Sequence, residues 1–104
     1  MKRSLVAMAL FLIAPALFAD SAAADGAAVF KSRCVMCHGG DGAGQTGMGK
    51  SLKLRDLGSA DVQKQTDAQL ANIVTVGKGK MPAYKGKLAA AEIEAVVKFL
   101  RSMK

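Results

Sequence analysis

The chain has 104 residues, 51% of them hydrophobic, and its 15 lysines and arginines outweigh 8 acidic residues for a net charge of +7. That length holds one small domain, and two cysteines allow at most one disulfide, so a densely stapled secreted framework is excluded. The basic balance suits nucleic acid, an anionic membrane or an acidic protein, and the N-terminus argues against the first.

Met1-Lys2-Arg3 open the chain with positive charge, and Leu5 to Phe18 are almost wholly apolar. Small residues follow, ending in Ala22-Ala23-Ala24, which fits an A-x-A cleavage site. The apolar run falls short of the roughly 20 residues that span a bilayer, and Pro15 suits a leader better than an anchor. Residues 1–24 are therefore expected to be a cleaved secretory signal. Residues 25–104 are expected to form a soluble, monomeric, periplasmic domain without stable membrane insertion. A domain that short buries only about 60–65% of its unfolded surface, so its core needs a staple. A Cys34–Cys37 disulfide closes too small a loop to serve.

The mature region reads as all-α, with about four helices and long loops. A first helix opens at Asp25, whose carboxylate can cap it, and runs into Cys34, with Gly26 and Phe30 on one face. Six glycines between Gly39 and Gly49 argue against regular structure there. A short helical turn is expected through Ala60-Asp61-Val62-Gln63. Thr66-Asp67-Ala68-Gln69 matches a capping box, and Leu70, Ile73 and Val74 form the stripe of a helix that stops at Gly77. Gly77 to Gly86 is a second loop. Ile93, Val96, Val97, Leu100 and Met103 give a last amphipathic helix, whose start is poorly marked because Ala89-Ala90-Ala91 offers no capping side chain.

Cys34-Val35-Met36-Cys37-His38 is the sequence that carries chemistry. C-x-x-C-H is the attachment signature of c-type haem: two thiols add across the two porphyrin vinyl groups, and the adjacent imidazole meets the iron. The rival readings fit less well. A thioredoxin-like C-x-x-C needs strands that this chain does not show. A zinc site needs four ligands, or three plus water, and here the two cysteines and the single histidine are crowded into five residues.

With one histidine, a six-coordinate iron takes its other ligand elsewhere, and a methionine thioether is the usual donor. Met36 lies inside the attachment turn, and Met103 reads as packing at the end of the last helix. Between the remaining candidates, Met81 is preferred over Met48. Met81 follows Gly77-Lys78-Gly79-Lys80 and precedes Pro82, beyond a helix that can carry the chain to the other haem face. Met48 lies in glycine-rich coil close to His38.

Gly44-Gln45-Thr46-Gly47-Met48-Gly49-Lys50-Ser51 satisfies the phosphate-loop pattern G-x-x-x-x-G-K-[ST]. The nucleotide reading fails for want of a buried strand before the loop and a sheet to hold it. Lys78, Lys80, Lys85 and Lys87 cluster around Met81, with Lys50 and Lys53 as possible neighbours. They read either as solubilising charge or as a positive ring that steers redox proteins with acidic docking patches.

These residues together resemble the class I bacterial c-type cytochromes of the short monohaem type. The resemblance rests on Gly26 and Phe30, on Cys34 to His38, on Gly77 to Tyr84 and on Val96-Val97-Lys98-Phe99-Leu100. It implies the cytochrome c fold, with Gly26 and Phe30 crossing against Val96 and Phe99. It implies one covalent haem c with His38 and Met81 as the axial pair, and one-electron carriage rather than enzymatic turnover. A haem enzyme or ligand sensor with an open sixth site is the alternative. One departure stands out: Gly47 occupies the position where the family often has a proline whose carbonyl bonds the proximal histidine.

Overall fold

In the computed structural model, residues 24–104 are described, together with Ala9. The expected signal, residues 1–24, lies outside the described residues except for Ala9 and Ala24. The described residues form α1 (Gly26–Arg33), α2 (Val35–His38), α3 (Gly47–Ser51), α4 (Ala60–Gln63), α5 (Asp67–Val76) and α6 (Ala90–Leu100). A 3-10 turn over Arg101–Met103 closes the chain, and only isolated bridges, no strands, occur among the described residues. The all-α expectation holds, with short helices added to the expected set.

Local signals explain most of the boundaries. The Asp25 carboxylate accepts from Ala27 N and Ala28 N at 3.0 and 3.2 Å, satisfying free amides at the start of α1. Thr66 and Gln69 close the expected capping box at α5 in both directions, at 3.1 and 2.8 Å, and α5 stops at Gly77. α6 corrects the expectation of an unmarked start. Ala89 has no acceptor, but Glu92 three residues on accepts from the Ala89 amide at 2.9 Å.

The glycine-rich segment corrects a second expectation. It contains α3, because Thr46 caps the turn by accepting from Gly49 N at 2.8 Å, and packing against α2 outweighs the poor propensity of glycine.

The centre of the fold is the crossing of α1 and α6. A Cβ on Gly26 would lie 2.0 Å from the Ala95 carbonyl oxygen, so only glycine lets the two helices approach this closely. Phe30 then packs with Val96 and Leu100, and its ring meets that of Phe99 at 5.4 Å between centroids, tilted by 53°. Val62 and Leu70 pack on Val97, and Val74 and Leu88 on Ile93, so α6 is shared by all three apolar clusters. Arg101 fastens its end: the guanidinium donates to Gln63 O, Gln65 O and the Asp67 carboxylate, at 2.9, 2.6 and 2.8 Å.

Candidate functional site

The attachment turn begins where α1 breaks. Cys34 caps α1 and starts α2 with φ −115° and ψ −29°. The amides of Cys37 and His38 both turn back to the Cys34 carbonyl, at 3.3 and 2.9 Å. A single turn of backbone thus carries both cysteines and the histidine. Cys34, Cys37 and His38 are half-buried and both thiols are free, while Met36 points outward and is 80% exposed.

Burial sets the protonation of two of these groups. It pushes the Cys34 thiol up from its ordinary value and His38 down, so the imidazole stays neutral, the form with a lone pair to offer a metal. His38 Nδ1 is buried with no hydrogen-bond partner among the described residues. The Gly47 carbonyl makes no hydrogen bond to it. Gly47 is instead the first residue of α3.

The turn is clamped from α3. The Thr46 hydroxyl donates to Cys37 O at 2.7 Å while accepting from Gly49 N. Gly49 lies so close that a Cβ there would sit 2.6 Å from Cys37 O and 2.3 Å from Gly44 O. The Gly44 amide donates to His38 O at 2.8 Å. These bonds also dispose of the phosphate-loop pattern. The amides of Gly44, Gly49 and Lys50 all have partners inside the chain, so they form no open cradle for phosphate.

A second segment reaches the turn from the far half of the sequence. Lys78 and Met81 exchange backbone bonds at 3.2 and 2.9 Å across a tight loop, with Gly77 and Gly79 at φ +77° and +57°. Met81 is half-buried against the cluster of Val74, Leu88 and Ile93. Tyr84 packs there too, and its hydroxyl donates to Arg33 O at 3.1 Å, beside Cys34. Burial, then the nearby Cys34 thiol, pushes the Tyr84 phenol up despite Arg33, so it remains a donor at neutral pH. Met48, by contrast, is 48% exposed on α3, and Met103 packs beside Leu57 and Gly42. Lys50, Lys53, Lys78, Lys80, Lys85 and Lys87 are all exposed, and none joins either of the two ion pairs among the described residues.

Sequence reasoning missed Thr46, Gly49 and the Tyr84 hydroxyl. Thr46 and Gly49 carried a signal inside the phosphate-loop pattern, but one that pointed to the wrong chemistry. The Tyr84 bond carried none, because its acceptor is a backbone carbonyl 51 residues away.

The donor set fits a haem better than an ion. No three His, Cys, Asp or Glu side chains converge on one metal position among the described residues. Two separate thiols and a neutral imidazole without a partner at Nδ1 instead suit a broad group bonded at several points.

Comparison with known proteins decides the family. The family model for cytochrome C oxidase, cbb3-type, subunit III matches residues 21–100. Cytochrome c6 of Nostoc sp. (strain PCC 7120) is 39% identical, covering 92% of this chain and 85% of the relative. Cytochrome c6 of Picosynechococcus sp. (strain PCC 7002) is 37% identical, covering 94% and 92%. The chain belongs to this family of class I monohaem c-type cytochromes. A solved c-type cytochrome, KustC0563, is also similar, with a TM-score of 0.72 and 32% identity over 77% of this chain and 98% of that one. The cofactor of this cytochrome is accordingly one haem c with its iron, and the chain is an electron carrier.

Proposed function

We propose that this cytochrome is a soluble periplasmic shuttle that passes single electrons between redox proteins, with Cys34 and Cys37 holding the haem and His38 and Met81 as axial ligands. The bound haem supplies a reversible one-electron change at its iron; the chain supplies attachment, axial donors and exclusion of other ligands. The observation that carries the axial reading is the Tyr84 bond to Arg33 O, which ties the segment bearing Met81 to the end of α1, one residue before the attachment turn. Met81 is also half-buried, whereas Met36 is exposed and Met48 is half-exposed on the short helix α3.

The roles follow from the donor atoms. A neutral imidazole and a thioether are both uncharged, and the thioether favours ferrous iron, which raises the potential. With both axial positions filled by side chains, small molecules are kept from the metal. The test is optical. The oxidised protein should show the near-infrared charge-transfer band of methionine bound to iron, and Met81→Ala should lose it. A band absent from the unmutated protein would sink the axial assignment and favour a haem enzyme or ligand sensor with an open sixth site.

Export rests on the leader, and no helix among the described residues is long and apolar enough to cross a membrane. The exported protein should have the mass of residues 25–104 plus one haem. The exposed, unpaired lysines of the second loop support docking to acidic patches. Electron transfer to an acidic partner should slow as salt rises toward a Debye length of about 8 Å. A flat response would leave those lysines as solubilising charge.

A further inference from the structure

We infer that the Tyr84 hydroxyl is a latch, holding the Met81 segment closed and setting how readily an outside ligand can displace Met81. This rests on the axial reading of Met81 proposed above.

The latch uses a carbonyl that the break at Cys34 sets free. In an unbroken helix Arg33 O would accept from the Cys37 amide, but that amide turns back to Cys34 O instead. Arg33 is the last residue of α1, where carbonyls lack partners within the helix. The Tyr84 hydroxyl takes this one at 3.1 Å, and the bond is exposed to solvent.

The segment on the other side of the bond is loosely held. Gly77, Gly79 and Gly86 all have positive φ, so the loop loses much chain entropy when it closes. The Lys78–Met81 bonds lie within the loop and do not tie it to the attachment turn. Tyr84 N to Val74 O and Lys85 N to Thr75 O, both at 3.0 Å, fasten its trailing end to α5. They hold it to α5, not to the attachment turn. Among the described residues, the side-chain bond from this segment to the end of α1, next to that turn, is the one from Tyr84.

Tyr84 lies three positions beyond Met81, and both pack on the same cluster of Val74, Leu88 and Ile93. Motion of Met81 away from its site therefore pulls on Tyr84. Tyr84 is a positioning residue, acting on the sixth position through Met81.

The test is imidazole binding to the oxidised, haem-loaded protein. Imidazole enters only the fraction of molecules in which Met81 has left, so its apparent affinity reports that fraction. Tyr84→Phe deletes the hydroxyl and keeps the packed ring. Loss of a hydrogen bond of this kind should raise the open fraction about 3–10-fold, and tighten apparent imidazole binding by the same factor. The near-infrared band should persist without imidazole, and the folded-to-unfolded ratio should fall by no more than the same factor of about 3–10. Unchanged imidazole affinity in Tyr84→Phe, with the band present and lost in Met81→Ala, overturns the latch alone. A band missing from the unmutated protein overturns the axial reading and the latch together.

Discussion

Two halves of this cytochrome are built on opposite principles. The crossing of α1 with α6 is a side-chain core: Phe30, Val96 and Leu100 are at most 5% exposed and pack against one another. Between Phe30 and Val62, by contrast, no hydrophobic side chain is buried, and the buried residues are Gly39, Gly42, Gly44 and Gly49. That stretch holds Cys34, Cys37 and His38. It is knit by backbone bonds such as Leu57 N to Gly42 O and Leu54 N to Gly49 O, both 2.9 Å. A region with buried backbone and little buried hydrocarbon cannot drive its own collapse. The crossing can supply its own hydrophobic burial, while the attachment half needs the apolar mass of the haem to complete it.

The largest expected effect breaks this division directly. Replacing both cysteines, Cys34→Ser with Cys37→Ser, should prevent attachment and leave a chain whose remaining core is too small for stable folding. Far-ultraviolet circular dichroism should show most helical signal lost, with no cooperative thermal transition. A haem-free chain that kept a sharp transition would mean that the crossing and its neighbours suffice alone.

A smaller effect compares the halves through one glycine in each. A Cβ on Gly26 would strike Ala95 O at 2.0 Å, and one on Gly49 would strike Gly44 O and Cys37 O at 2.3 and 2.6 Å. Each alanine variant should cost about 1–3 kcal/mol through overpacking, visible as a lower melting temperature. Only Gly49→Ala should also move the reduction potential, since it displaces the backbone that carries Cys37 and His38. If Gly26→Ala moved the potential equally, the halves would be mechanically coupled rather than distinct.

The division also governs what the sequence could reveal. Asp25, the Thr66–Gln69 box and the Gly77 stop are local signals, so helix ends could be placed from a few adjacent residues. The attachment pentapeptide was legible for the same reason, because its chemistry is confined to one turn. α3 was hidden because six glycines argue for coil, and the opposing force is contact with Cys37 O, a tertiary fact. The start of α6 was signalled at Glu92, not at the cap position itself. The Arg101 clasp joins carbonyls and a carboxylate 34 to 38 residues away, a distance over which side-chain identity says nothing about its partner.

The smallest effect falls on the clamp that joins α3 to the attachment turn. Thr46→Val keeps nearly the same shape but removes the hydroxyl that serves Cys37 O and Gly49 N together. Both groups are only partly buried, so leaving them unpaired should cost about 1 kcal/mol. For a domain this small, each 1 kcal/mol lowers the melting temperature by about 4–8 °C. Thr46→Ser keeps both bonds and should recover most of the loss, with any remainder assigned to the missing methyl group. If serine failed to rescue, the methyl contact rather than the hydroxyl would be what Thr46 contributes. The glycine-rich half would then depend on side-chain packing at this point, as the helix crossing does.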